Sequence, residues 1–235
     1  MPRLLIHVEG QTEETFVQEI LGGHLRSFGF SSVSARLVGN PRMRHQRGGI
    51  RSWNSVSNEI ARHLKQDAGS VEALIVDYYA LPDDWPGRSS AHGIVSPDER
   101  AAHVEQALIS GISCELGDRF DIRRFQPLVM MHEFEALLFS DPSQFAVSVG
   151  RPNLAAKLIE IRNAFVTPED INDSVETAPS KRIQGLFPEY EKPLYGVIAA
   201  LEIGLEAMRR ECQHFNSWLS QLEAIPVECS YLDTN

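Results

Sequence analysis

The chain has 235 residues, of which 43% are hydrophobic and 23% charged, with a formal net charge of −10. That length and apolar content fit one large domain, or a core with an appendage, and exclude wholesale disorder. A uniformly acidic protein does not attract nucleic acid in bulk, so any such site must be a local basic patch or work through bound cations.

No apolar run approaches the roughly 18 residues of a membrane span. The opening MPRLLIHVEG has no signal-peptide pattern. Cys114, Cys212 and Cys229 show no CxxC spacing. They argue against a disulfide framework and a zinc knuckle, and a cytoplasmic location is expected.

The first element is the apolar run Leu4, Leu5, Ile6 and Val8, of strand length and ending at Glu9-Gly10. Gly10 permits a sharp turn. Thr12 is the expected cap of a helix whose apolar face holds Phe16, Val17, Ile20, Leu21, Leu25 and Phe28. A carboxylate at the tip of a first strand stands where open α/β sheets place their ligands.

Ser32–Val38 is the next strand candidate. The segment Arg36–Arg51 follows, with five arginines, His45 and no acid. Its charge of +5 leaves −15 on the rest of the chain. Pro41, Gly48 and Gly49 mark it as loop. Arg42, Arg44 and Arg47 are its candidates for phosphate-backbone contact, because the planar guanidinium suits phosphate. The plainer reading is a solvated loop that pairs with acids elsewhere. Trp53, Val56, Ile60 and Leu64 then recur at helical spacing.

Val71–Asp77 (VEALIVD) is a second strand ending in a carboxylate, followed by the loop YYALPDDWPGR with Asp83 and Asp84. Trp85 lies in this loop; like Trp53 and Trp218 it reads first as a packing residue. Ser96-Pro97-Asp98-Glu99 is a helix start with a capping box. Phe125–Met131 is a further strand, running into His132-Glu133-Phe134-Glu135. The alternation of strands and helices predicts an α/β fold: a parallel-stranded sheet flanked by helices. Right-handed crossovers would bring Glu9, Asp77 and the His132–Glu135 group to one edge.

Beyond residue 145 the chain reads as a helical extension, so the expected division is an α/β core over 1–145 and a helical part over 146–235 packed on it. Leu154–Phe165 is helical and Thr167–Tyr195 loop-rich. Lys181 and Arg182 form a second, smaller phosphate candidate. Leu194, Ile198, Leu201, Leu205, Met208, Cys212, Phe215, Leu219 and Leu222 alternate 4 and 3 apart. The stripe fits a coiled-coil seam, and with it a homodimer, or an amphipathic helix pair packed on its own domain; the second is preferred because Gly196 and Gly204 interrupt it.

Glu9, Asp77, Glu133 and Glu135 form the main constellation. Carboxylates brought together stay ionised if a cation neutralises them. Hard oxygen ligands suit Mg²⁺ or Mn²⁺, which can activate water and stabilise charge on a phosphodiester. The alternative is a set of helix-start acids held by helix dipoles. His132 is a candidate proton carrier or phosphate contact, with a hydrogen-bonded structural histidine as the equal alternative. The zinc-protease motif HExxH is excluded because position 136 is Ala, and no GxxxxGK[ST] pattern is present.

VEGQTEE at 8–14, DYYALPDDWPG at 77–87, HEFEALLFSD at 132–141, APSKRI at 178–183, FPEYEK at 187–192 and CQHFNSWL at 212–219 occur in this order. The set resembles an uncharacterised bacterial family, domain of unknown function 4276, whose N-terminal part is Toprim-like (the topoisomerase–primase fold). The resemblance implies a glutamate after the first strand and a DxD after the third, matched by Glu9 and Asp77. The second aspartate would fall at Tyr79, leaving Asp83, Asp84, Glu133 or Glu135 to supply that ligand. It further implies a Mg²⁺- or Mn²⁺-dependent nuclease acting on DNA or RNA. In that reading Glu9, His132 and Glu133 are catalytic, and Glu9, Asp77, Asp83, Glu133 and Glu135 hold metal. By analogy with relatives in anti-phage systems, an ATPase partner is implied too. The departure at Tyr79 supports a second expectation, a non-catalytic sensor or adaptor that binds a partner protein. A third is Mg²⁺-dependent phosphotransfer on nucleotides.

Overall fold

The computed structural model describes residues 1–38, 50–171 and 177–232. Arg42, Arg44 and Arg47, the central arginines of the basic segment, lie outside the described residues. The chain divides into two compact units, one of Met1–Val129 with Trp218–Asn235 and one of Met130–Ser217. The sequence pattern places a boundary near 145; the compact units instead part at 129/130, and the chain from Trp218 on belongs to the first unit.

The first unit is built on strands β1 (Arg3–Val8), β2 (Ser32–Leu37), β3 (Ser70–Asp77) and β4 (Phe125–Met130), in the order β2-β1-β3-β4. β1 runs parallel to both of its neighbours, with Val8 level with Leu37 on one side and Ile75 on the other. The fold is α/β, as the alternation predicts. Leu4, Ile6 and Val8 are buried, and β3 is buried along nearly its whole length. Strands covered on both faces read as continuous apolar runs, which is why these two are conspicuous in the sequence.

The first helical stretch starts earlier than the Thr12 cap predicts. α1 (Gln11–Phe16) has Gly10 at its cap position, extended at φ −137° and making no side-chain cap. Thr12 lies inside the helix and is buried. A π-turn over Val17–Leu21 joins α1 to α2 (Gly22–Ser27). α3 (Trp53–Gln66) buries Trp53, Val56, Ile60 and Leu64, the spacing read from the sequence. α4 (Pro97–Leu116) starts at Ser96, whose side chain accepts from the Glu99 amide, and stops at Gly117 with φ 85°. A left-handed residue of this kind ends helices because glycine has no Cβ to clash.

Trp85 is buried, its ring 5.2 Å from that of Trp53, and its indole N–H donates to the Arg51 carbonyl at 3.2 Å. It is a packing residue and offers no exposed stacking face. Arg124 closes the base of the unit by donating to the carbonyls of Ser70, Leu64 and Asp67 at 2.9, 2.9 and 2.6 Å.

The second unit is helical. After a 3₁₀ stretch over Phe134–Ser140 come α5 (Pro142–Ser148), α6 (Ala155–Asn163), α7 (Pro179–Leu186), α8 (Val197–Ile203) and α9 (Leu205–Glu211). α10 (Gln213–Leu232) begins here. The loop-rich reading of 167–195 misses α7 and a π-turn over Lys192–Gly196. The coiled-coil seam does not form. Gly204, at φ 79°, breaks the stripe, and Cys212 breaks it again in an extended conformation. Leu194, Ile198 and Leu201 are exposed, whereas Met208, Cys212, Leu219 and Leu222 are buried, so the stripe is not one face. Burial pushes the Cys212 thiol up, which removes it as a nucleophile.

Two stability predictions follow from the first unit. Leu108 on α4 is fully buried, so Leu108→Ala is expected to cost about 2–5 kcal/mol in urea unfolding. Glu59 on α3 accepts from Arg51 at 2.7 Å and lies 3.0 Å from Arg36. Burial raises its carboxyl pKa, but Arg51 and Arg36 outweigh burial and hold it below the ordinary range. With the folded value below the unfolded one, this contribution is complete above about pH 4.3 and disappears as pH falls through the folded value. Glu59→Gln is therefore expected to destabilise at neutral pH and to converge with wild type in acid, read as unfolding midpoints from pH 7 down to 3.

Candidate metal and phosphate sites

The first unit carries its acids at the carboxyl edge of the sheet. Glu9 follows β1 and Asp77 ends β3, and the two strands are paired. Continuing the register from Val8 and Ile75 sets Glu9 beside Val76, one position short of Asp77. Both acids are half-buried. The order 2-1-3-4 puts this edge where doubly wound sheets bind ligands.

A third acid belongs with them. Glu13, on the first turn of α1, is buried at 5% exposure. A Cβ added at Gly10 would come within 2.8 Å of Glu13 Oε2. Gly10 is thus the space that the Glu13 carboxylate occupies, beside the turn that carries Glu9. Glu13 escapes a reading that caps the helix at Thr12, because the helix begins at Gln11 and Glu13 falls in its first turn.

The loop after β3 is pinned rather than open. Tyr78 is buried and accepts from Arg88 at 2.9 Å. Tyr79, at the position of the missing second aspartate, is 50% exposed and meets Tyr78 edge to face at 5.3 Å. Asp83 is exposed, and its backbone carbonyl accepts from the Ser89 hydroxyl at 3.0 Å.

In the second unit, His132 and Glu135 are buried. Glu133 Oε2 accepts from the Ser180 amide at 2.9 Å, on the first turn of α7. This helix start is 47 residues further along the chain, and is not the helix that directly follows β4. Glu135 pairs with Lys192 Nζ at 3.1 Å, so its buried charge already has a cation. Lys181 donates to Gln184 at 3.1 Å. Arg182 donates to the Thr177 carbonyl at 2.7 Å and lies 5.1 Å from the centre of the Phe165 ring. Arg36 and Arg51, the two ends of the basic segment, pair with Glu59 in the first unit, which is the plainer reading for those two.

These features define an α/β protein with carboxylates at the carboxyl edge of its sheet. The chain belongs to the family described as Domain of unknown function (DUF4276), whose model matches residues 8–223. No curated protein matches it. Among solved structures it is similar to the C-terminal region of the Xanthomonas campestris pv. campestris OLD protein. The two are 13% identical, with 98% of each chain covered and a TM-score of 0.46. It is also similar to the C-terminal region of the Burkholderia pseudomallei OLD protein, at 14% identity over 96% of this chain and 99% of that one, with a TM-score of 0.47. Similarity of this size does not transfer any residue's role. Among the described residues, no helix is long and apolar enough to cross a membrane.

The Glu133 bond has a direct test. Glu133→Gln keeps an acceptor for the Ser180 amide, and Glu133→Ala removes it. The alanine variant is expected to cost about 1 kcal/mol and to speed hydrogen exchange at that amide, while the glutamine variant leaves both near wild type.

Proposed function

We propose that the chain is a divalent-metal-dependent nuclease of Toprim type that hydrolyses nucleic-acid phosphodiesters. The observation that carries this reading is the placing of Glu9 and Asp77 at the carboxyl ends of the paired strands β1 and β3, with the buried Glu13 on the first turn of the helix that follows β1. Carboxylates at such an edge suit Mg²⁺ or Mn²⁺, which take oxygen ligands and retain water. When bound, such an ion lowers the pKa of water and stabilises charge on the phosphodiester.

Asp77 and Glu13 would hold the ion. Glu9 would share in binding it or take a proton from the attacking water. Tyr78, locked by Arg88, holds the backbone after Asp77 in place. The proposed phosphate contacts are Arg42, Arg44 and Arg47 of the basic segment and Lys181 and Arg182 of α7. His132 is proposed as a proton carrier, with Asp83, Glu133 and Glu135 as further candidate ligands. Of these, Glu133 and Glu135 would first have to leave Ser180 and Lys192. An ATPase partner and a role in anti-phage defence extend the reading by analogy; a homodimer, if formed, would not use the coiled-coil stripe.

Tyr79 favours a second reading, a non-catalytic adaptor. An exposed aromatic stands where the resemblance asks for a second aspartate, and such a residue serves a protein interface better than a metal.

One assay separates the two. Wild type, Glu9→Gln, Glu13→Gln and Asp77→Asn are incubated with single- and double-stranded DNA and RNA in Mg²⁺ or Mn²⁺. The nuclease reading expects wild-type cleavage and at least roughly a 100-fold loss in each variant, with melting temperatures within a few degrees. Cleavage at wild-type rates in the variants removes these residues from the mechanism. Absence of cleavage by wild type, together with capture of a stable protein partner, establishes the adaptor.

A further inference from the structure

A second constellation lies in the first unit, with a different donor set from the sheet edge. His7 of β1 and Glu72 of β3 are fully buried, and His63 of α3 is largely so. His7 Nε2 lies 2.7 Å from Glu72 Oε2, and His63 Nδ1 lies 3.6 Å from the same oxygen. The imidazole rings are stacked at 6.0 Å with an interplanar angle of 20°. One ligand atom from each residue falls within 4.8 Å of the other two. His7 Nδ1 is buried and makes no hydrogen bond.

We propose that His7, His63 and Glu72 form a binding site for a transition-metal dication of the zinc class, which cross-links β1, β3 and α3. Ligands about 2.0–2.2 Å from a tetrahedral ion stand roughly 3.3–3.6 Å apart. The Nε2–Oε2 pair must open slightly for this and the widest pair must close, shifts that side-chain rotation supplies. Two imidazoles and one carboxylate favour zinc, cobalt or nickel over Mg²⁺, which prefers oxygen. The site therefore does not duplicate the Glu9, Glu13 and Asp77 edge.

The surroundings already orient the ligands. Ser70 Oγ donates to Glu72 Oε1 at 2.6 Å, leaving Oε2 for the ion. Arg36 donates to His63 Nε2 at 2.9 Å, which places the His63 proton on Nδ1 while no ion is bound. Coordination through Nδ1 moves that proton to Nε2, and Arg36 then keeps Glu59 Oε1, 3.0 Å away, as its acceptor. Arg36 can only donate, so coordination through Nδ1 has to displace its bond to His63 Nε2. Burial of His7 and Glu72 shuts out a substrate, so the ion acts as a structural clamp.

The test is a Co²⁺ titration of the full chain followed by visible ligand-field absorption, with Zn²⁺ affinity read by competition against a chromophoric chelator. Wild type and the Glu9→Gln/Asp77→Asn double variant are expected to bind one Co²⁺ at this site with the same spectrum. His63→Ala is expected to weaken it by more than the roughly 10–100-fold that an outer-shell partner is worth. Zn²⁺ should raise the melting temperature of wild type and not of His63→Ala, because a ligand of the folded state alone stabilises it. Should His63→Ala fail to fold, Glu72→Gln, which keeps the side-chain shape, is read in the same way. Absence of binding in wild type overturns the proposal. So does unchanged binding in the His63 or Glu72 variant, or loss of the site in the Glu9/Asp77 double variant. The last result would place the ion at the sheet edge.

Discussion

A strand buried on both faces has no water to satisfy its backbone, so its amides and carbonyls must bond to neighbouring strands on both sides. β1 is that strand. It is parallel to β2 on one edge and β3 on the other, and its residues from Ile6 to Val8 have no measurable exposure. This pairing sets the register of β3 and fixes the height at which both strands end. The positions of Glu9 and Asp77 follow from it. Neither acid would have a defined neighbour if β1 slipped by one residue.

The turn after β1 shows how little space the edge allows. Gly10 is extended at φ −137°, a conformation open to any residue, so backbone freedom does not explain the glycine. The side chain that a larger residue would carry does: its Cβ would occupy the place of the Glu13 carboxylate. In the second unit, two of the candidate acids have defined partners. Glu133 accepts from the Ser180 amide of α7, and Glu135 is paired with Lys192.

Behind the edge, the interior of the first unit is not purely apolar. His7, Glu72 and Ser70 form a buried polar group, joined through His63 and Arg36 to Glu59. Buried polar networks cost free energy unless their members are partnered, and they fix one arrangement of the elements that carry them. Here the members come from three strands and a helix, so the network specifies how α3 seats on the sheet. An apolar core of the same volume would tolerate more than one seating.

The strands and the α4 start were legible in the sequence because their signals are local. Apolar runs of four to eight residues mark β1, β3 and β4. A cap that acts over three residues marks Ser96 with Glu99, and that bond is present. The sequence also determined that acids follow the apolar runs of β1 and β3. Tertiary structure alone decided what those acids and their neighbours meet. His7 and Glu72 are 65 positions apart, Glu133 and Ser180 are 47 apart, and the chain from Trp218 returns to the unit formed by the first 129 residues. A hydrogen bond across three residues is fixed by local backbone geometry, whereas a partner sixty residues away depends on which strands become neighbours, and that is settled only when the whole core is buried at once.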